Sequence, residues 1–419
     1  MRAVALIACL LLSLPAQAAQ TVEVIPSSLA GPVWALPDEN TNIVTVELSF
    51  VGGISADTAA KAGRSSLMSN LIYRGAGTRD ADAFARALKD NGVSLSVDVG
   101  RDEAVIRLSA PTGRWDMALA LLSDIIAAPR FDQDEFTRAR AEQMAAIRNQ
   151  SADPEWQAQR LINGLVYENT PYAQPGMGSL ASLTRLTRDD MVAAHKEIFG
   201  FAPRSAVFVG KVDPARIQSV LSLFAKSPAA TDADKTGDYR HLSPARQVFH
   251  AYDVPQANLI YTVPGLPIDD PDFAALSVLD ALLADGFGSR LMKAVREDSG
   301  LSYGIHSGLA NADHGPLWQF SLSAPSDKID LVAGKIHAVL KDAADKPFTE
   351  TEVKDTAESL AARLPMGWTS SPAIAAQLGA AQRDGWGPDY LDAWSARLRA
   401  VKPADLTRVA QRLLDGKTG

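Results

Sequence analysis

A tetrapeptide that occurs twice constrains this chain more than any other feature. Leu-Ser-Ala-Pro closes a strand-like run at Glu103–Pro111 and closes another at Leu317–Pro325. Each copy is followed by a helical stretch, over 116–127 and 328–341. An acidic helix start comes next, Pro129-Arg-Phe131-Asp-Gln-Asp-Glu135 in one half and Pro347-Phe348-Thr-Glu-Thr-Glu352 in the other. Three features recurring in one order indicate a duplicated domain, and two copies are too few for a solenoid.

Each half mixes strands and helices. Ile43–Val51 and the run over 93–99 have strand character, while Leu67, Leu71 and Ile72, and later Phe84 and Leu88, carry helical apolar spacing. The runs over 93–99 and 103–110 are separated by a short Gly-Arg-Asp turn, which favours antiparallel pairing. The expected class is α+β, each half a mostly antiparallel sheet with helices packed on one face. Small, polar and charged residues over 227–238 read as a connector. The second half stops at Arg412-Leu-Leu-Asp-Gly-Lys-Thr-Gly419, where its counterpart of Ser205–Gly210 is due, so the expectation is either a truncated chain or a sheet that lacks one strand and leaves an edge open.

The first residues read as an export signal. Arg2 precedes an apolar run from Val4 to Leu14, and Ala16-Gln17-Ala18 offers a small-x-small cleavage site. Residues 1–18 are therefore expected to be removed, leaving a periplasmic protein. Cys9, the only cysteine, lies inside that run, so the mature chain is expected to have no disulfide, thiolate ligand or cysteine nucleophile. With 47% hydrophobic residues the chain has ample material for cores, and no later segment is long and apolar enough to span a bilayer. A net charge of −8 without a long basic block argues against nucleic acid as the main partner.

Catalytic signatures are scarce. Zinc needs His, Cys or carboxylate ligands that converge. None of His195, His241, His250, His306, His314 and His337 forms a His-x-x-x-His pair. His195 and His337 stand alone on expected helices, so both read as satisfied or solvent-facing. His306 and His314, flanking a strand-like stretch, are the residual metal candidates. Gly286-Phe-Gly288-Ser-Arg290 lacks the third glycine of a dinucleotide loop and sits between helices. There is no Gly-x-Ser-x-Gly elbow and no Gly-rich loop ending in Lys-Ser/Thr.

One stretch is specific: Gly288-Ser-Arg-Leu-Met-Lys-Ala-Val-Arg296-Glu-Asp-Ser-Gly300-Leu-Ser-Tyr303. It resembles the second-half signature of the pitrilysin/insulinase family of inverzincin zinc peptidases, in which a Ser-Arg-Leu helix start leads to an Arg and then Gly-Leu-x-Tyr. Arg296 and Tyr303 match that spacing. Asn169-Thr-Pro-Tyr172 and Gly176-Met-Gly178-Ser-Leu-Ala-Ser-Leu-Thr are also similar to the family's first halves. The resemblance covers nearly the whole mature chain. It implies a degenerate first domain over 19–228, a linker over 229–246 and a second domain over 247–419.

Active members carry His-x-x-Glu-His in the first half. The matching stretch here is Gly63-Arg-Ser-Ser66-Leu-Met-Ser69-Asn70, with Ser66 and Asn70 at the histidine positions and Ser69 at the glutamate position. Hydroxyl and amide groups are poor zinc ligands, and a serine cannot act as the base for a zinc-bound water. Glu142 is the one acid found on the helix expected to give the third ligand. The resemblance therefore implies a chain without a cofactor of its own, not a peptidase by itself. It would be the Arg/Tyr-bearing subunit of a heterodimer whose homologous partner holds zinc, with Arg296 and Tyr303 binding peptide and stabilising the oxyanion. A peptide-binding or scaffold protein outside proteolysis is the alternative, and an atypical metal site at His306 and His314 a third reading.

Overall fold

Alternation along the strands decides what lies on each side of the first sheet. The computed structural model describes residues 21–414 except 28, 30, 232–236, 243–245, 252–253, 287 and 298–299. The expected export segment lies outside them. The first-half strands are β1 (Glu23–Val24), β2 (Val33–Pro37), β3 (Ile43–Val51), β4 (Gly75–Ala76), β5 (Arg79–Asp80), β6 (Ser94–Val99), β7 (Glu103–Pro111) and β8 (Ser205–Gly210). Six of them form one sheet in the order β1-β2-β8-β3-β7-β6, and β4 and β5 make a separate pair. Only β2 and β8 run parallel; the other pairings in the sheet are antiparallel.

The first-half helices are α1 (Arg64–Leu71), α2 (Ala81–Asp90), α3 (Trp115–Ala127), α4 (Gln133–Gln150), α5 (Pro154–Val166), α6 (Leu180–Arg185), α7 (Arg188–Phe199) and α8 (Pro214–Leu221). Val44, Val46, Leu48 and Phe50 point one way from β3 and join Leu67 of α1, Leu121 of α3, Phe136 of α4 and Met191 of α7 in one core. Residues two apart share a face of a strand, so Thr45, Glu47 and Ser49 point the other way. They are polar and yet buried.

The second half repeats the plan with β9 (Gln256–Pro264), β10 (His306–Ala310) and β11 (Leu317–Pro325) in the order β10-β11-β9, all antiparallel. Its helices are α9 (Phe273–Ala284), α10 (Arg290–Met292), α11 (Ile329–Asp345), α12 (Glu350–Arg363), α13 (Ser371–Arg383), α14 (Tyr390–Arg399) and α15 (Pro403–Leu413). Trp318, Phe320, Leu322 and Ala324 of β11 face a core with α9, α11, α12 and α15. The fold is α+β with two related halves, as the duplicated tetrapeptide indicates. Among the described residues β9 pairs only with β11; the segment 415–419, at which a further strand would begin, lies outside them.

The halves exchange a helix. α13 crosses to the far face of the first sheet, where Ala375, Leu378 and Ala381 pack on Trp34, Leu36, Val207 and Val209. Gln382 donates to the carbonyls of Pro32 and Ala206. In return α5 of the first half packs against β9. The described part of the connector is held as well. Tyr239 stacks on His314 at 4.4 Å, Leu242 joins Val166, Tyr167, Tyr172 and Leu317, and Arg240 donates to the carbonyls of Gly265 and Pro316. A composition without apolar period hid these anchors.

Candidate functional site

The first-half motif sits on α1, whose start is fixed by charge and by close backbone approach. Asp57 is fully buried and accepts from the Ser65 amide, the Ser65 hydroxyl and Arg64, and Arg64 also forks onto Glu197. Gly63 caps the helix at φ 87°, and a Cβ there would meet the Met177 carbonyl at 2.4 Å. The loop over 176–178 therefore lies directly against the first turn.

Each degenerate position then has a structural role or none. The Ser66 hydroxyl donates to the Gly176 carbonyl at 2.7 Å, and the Ser69 hydroxyl turns back to the Ser66 carbonyl at 3.0 Å. Ser69 is buried and Asn70 is exposed. Glu142 on α4 is engaged by Arg74, and this ion pair lowers its carboxyl below the usual range. Gln143, next to it, spends its amide on the carbonyls of Gly63 and Met177. The donor set is two hydroxyls and an amide beside a paired carboxylate, which does not fit zinc. No group of three His, Cys, Asp or Glu side chains among the described residues is placed to hold a metal.

The second-half groups are arranged differently. Arg296 lies in a π-helical turn, Lys293–Glu297, that continues α10. The chain then reverses: the Gly300 amide donates to the Arg296 carbonyl at 2.8 Å, and the amides of Leu301 and Ser302 both reach the Val295 carbonyl. Gly300 takes φ 61°, a conformation that favours glycine. Val295 is fully buried, and the Ser302 hydroxyl donates to the carbonyls of Gly304 and Ser323. Both flanks of the loop are thus anchored, while Arg296 is exposed and Tyr303 is 88% exposed. A phenol left in solvent on an anchored loop packs no core of its own.

The histidines do not converge. His195 is buried between Phe131 and Phe199, its Nε2 is 2.9 Å from the Ile125 carbonyl, and burial lowers its pKa. His337 is exposed on α11. His306 pairs with Ser321 at one end of the β10–β11 ladder, and His314 precedes the other end, where Ala310 pairs with Leu317. His306 and Ala310 are four residues apart along β10, about 13 Å at a strand rise of roughly 3.3 Å per residue, and the His314 ring stacks on Tyr239 with its Nδ1 3.2 Å from the Gly237 carbonyl. His314 is thus engaged by the connector beyond the far end of the ladder from His306.

Sequence reasoning missed two arrangements. Glu47, mid-strand and 1% exposed, accepts from Arg107 at 2.6 Å and from Arg383 of the other half at 2.7 Å. Arg101 lies 4.4 Å from the ring centroid of Tyr172, whose hydroxyl is bonded to Asp102. A polar residue in the middle of a buried strand was the available signal for the first; the second had none.

Two family models match the chain. One, described as Insulinase (Peptidase family M16), covers residues 33–179, and the other, Peptidase M16 inactive domain, covers residues 185–360. A non-peptidase homolog, YmxG, of Helicobacter pylori is 25% identical over 333 residues, spanning 77% of this chain and 74% of the relative. An uncharacterized zinc protease of Streptomyces coelicolor is 22% identical over 378 residues, spanning 86% and 80%. A crystal structure of a peptidase M16 inactive domain from Pseudomonas fluorescens superposes with TM-score 0.84 at 22% identity, covering 95% of this chain and 96% of that one. The periplasmic protease PqqL from Escherichia coli superposes with TM-score 0.78 at 15% identity, but this chain covers only 44% of it. Similarities at these identities establish the shared fold.

Proposed function

Since the chain belongs to the insulinase (M16) peptidase family as a member without the zinc motif, we propose that it is the non-catalytic, substrate-binding subunit of a periplasmic zinc peptidase. A homologous partner carries the zinc site. The two chains face each other so that Arg296 and Tyr303 reach the partner's metal-bound peptide. The observation that carries this reading is the contrast between the halves. The first-half motif is replaced at Ser66, Ser69 and Asn70, while the second half keeps Arg296 and Tyr303 exposed on an anchored loop.

The chemistry assigned to this chain is modest. The Arg296 guanidinium offers fixed charged donors to a peptide carbonyl or carboxylate, and the Tyr303 phenol offers a neutral donor to oxygen that gains charge. Neither group is a nucleophile or a base, so in this reading the hydrolytic step belongs to the partner. Peptides are the substrate class, and export through residues 1–18 places the pair in the periplasm.

The test is co-expression with zinc-bearing homologues from the same genome. The reading predicts a stoichiometric complex that cleaves peptides when neither chain does so alone. A partner fully active by itself, or no complex with any such homologue, sinks it. Stable peptide binding by this chain without any complex would favour the scaffold reading, for which the name of the Helicobacter relative speaks.

A further inference from the structure

The internal repeat points to a second, unassigned place. Gly75-Ala-Gly77-Thr-Arg79 after α1 matches Gly286-Phe-Gly288-Ser-Arg290 after α9. The same offset sets Ser277 and Asp280 where Ser66 and Ser69 stand. In the first half this helix face is closed, because the loop over 176–178 lies on it and takes the Ser66 hydroxyl and the Gln143 amide. In the second half the matching face is open. A cavity of about 510 Å³ lies between α9 and β10, a size typical of small-ligand pockets.

The lining has one chemistry at its wall and another around it. Asp280 and Asp285 supply carboxylates, and His306, Ser277 and Ser307 supply an imidazole and two hydroxyls. Met292, Ile305, Leu309 and Leu360 supply apolar surface. Asp285 is already paired with Arg363. Asp280 has only neutral donors, the Trp318 indole N–H at 2.6 Å and the Ser307 hydroxyl. No cation among the described residues forms an ion pair with it, and burial raises its pKa. A carboxyl held by neutral donors in an apolar pocket is stabilised as an anion by an incoming positive charge. The described acids and histidines form no metal-holding group, and the volume far exceeds what one ion fills.

We propose that the pocket between α9 and β10 binds an alkylammonium or alkylguanidinium group, the side-chain chemistry of lysine and arginine, with its charge on Asp280 and its stem on Met292, Ile305 and Leu309. The assignment goes beyond the partner reading and holds for this chain alone.

The experiment follows the Trp318 indole N–H resonance, assigned by its loss in Trp318→Phe, during titration of the intact protein. The probes are Nα-acetyl-lysine amide, its uncharged norleucine analogue, cadaverine, and a tripeptide with a central lysine. The expected result is a saturable shift with the lysine probe, at least about tenfold weaker for norleucine, as loss of a charge-assisted hydrogen bond requires. Asp280→Asn abolishes it. Ser277→Leu, which fills the cavity and leaves the carboxyl in place, also abolishes it, so the proposal stands or falls even if the first variant folds poorly. Tighter binding of the tripeptide than of cadaverine assigns the site to peptide side chains, and the reverse assigns it to free amines. Equal binding of norleucine, lysine binding that survives Ser277→Leu, or no shift with any cationic probe overturns the proposal.

Discussion

The Arg383 guanidinium, carried on the second half's α13, lies 2.7 Å from the carboxylate of Glu47 in the first half's sheet. Glu47 is 1% exposed and is also held by Arg107, while Arg383 makes a further 2.8 Å contact with Glu103. The network fixes how the exchanged helix sits and thereby ties the two halves together.

Removing one partner of a buried pair leaves a charge without compensation, which costs more than the pair contributes. Arg383→Ala should therefore destabilise the protein by about 3 kcal/mol, the low end for such a loss because Arg107 stays on Glu47. Thermal unfolding checks this, and a midpoint within a degree of wild type contradicts it.

Ser66 has become a structural residue. Ser66→Ala removes the donor to the Gly176 carbonyl and should cost about 1 kcal/mol, the usual net value of one hydrogen bond. Denaturant titration at constant m-value measures it. A stabilised Ser66→Ala variant would show that the hydroxyl contributes nothing there.

Gly178 holds φ 76°, and a Cβ at that position would come within 2.2 Å of the Ala62 carbonyl oxygen. Gly178→Ala should then cost about 2 kcal/mol or more from positive φ and backbone collision together. The expected readout is a lowered unfolding midpoint with faster proteolysis of the loop over 176–178. Wild-type stability would contradict the close packing of this loop on α1.

His195 gives a pH dependence whose sign is fixed. Burial lowers its folded pKa below the unfolded value of about 6.5. Between the two values the unfolded chain binds the extra proton, so its contribution is fully present above the unfolded pKa and is lost as pH falls through the folded one. His195→Gln should flatten the fall of the thermal midpoint from pH 7 toward pH 5. A slope identical to wild type would place the titration elsewhere.

Much of this was legible in the sequence, for identifiable reasons. Leu108 to Pro111 and Leu322 to Pro325 do close equivalent strands, β7 and β11, and the turn after Val99 does join an antiparallel pair. Ser66, Ser69 and Asn70 lie on one helix, as their spacing requires. The exchange of α5 and α13 was not legible. Ala375, Leu378 and Ala381 make an ordinary small-residue stripe, and nothing in it says which sheet it covers. The role of Glu142 was also hidden, because its partner Arg74 lies one turn beyond the motif. By the ladder registers Tyr303 stands at the position of Val93 in the repeat, yet Val93 is buried in the first core and Tyr303 is exposed. Only the contrast between the halves marks it as a group kept for another molecule.

The central claim is that Arg296 and Tyr303 act on a peptide held at a partner's zinc. The direct measurement is kcat/KM for peptide cleavage by the reconstituted pair, with Arg296→Ala and Tyr303→Phe introduced into this chain only. The account predicts an unchanged complex and unchanged zinc content. It also predicts a fall in kcat/KM of about 10²-fold or more for each variant, the scale of losing one donor to developing charge. Activity equal to wild type in both variants, with the complex intact, would contradict it.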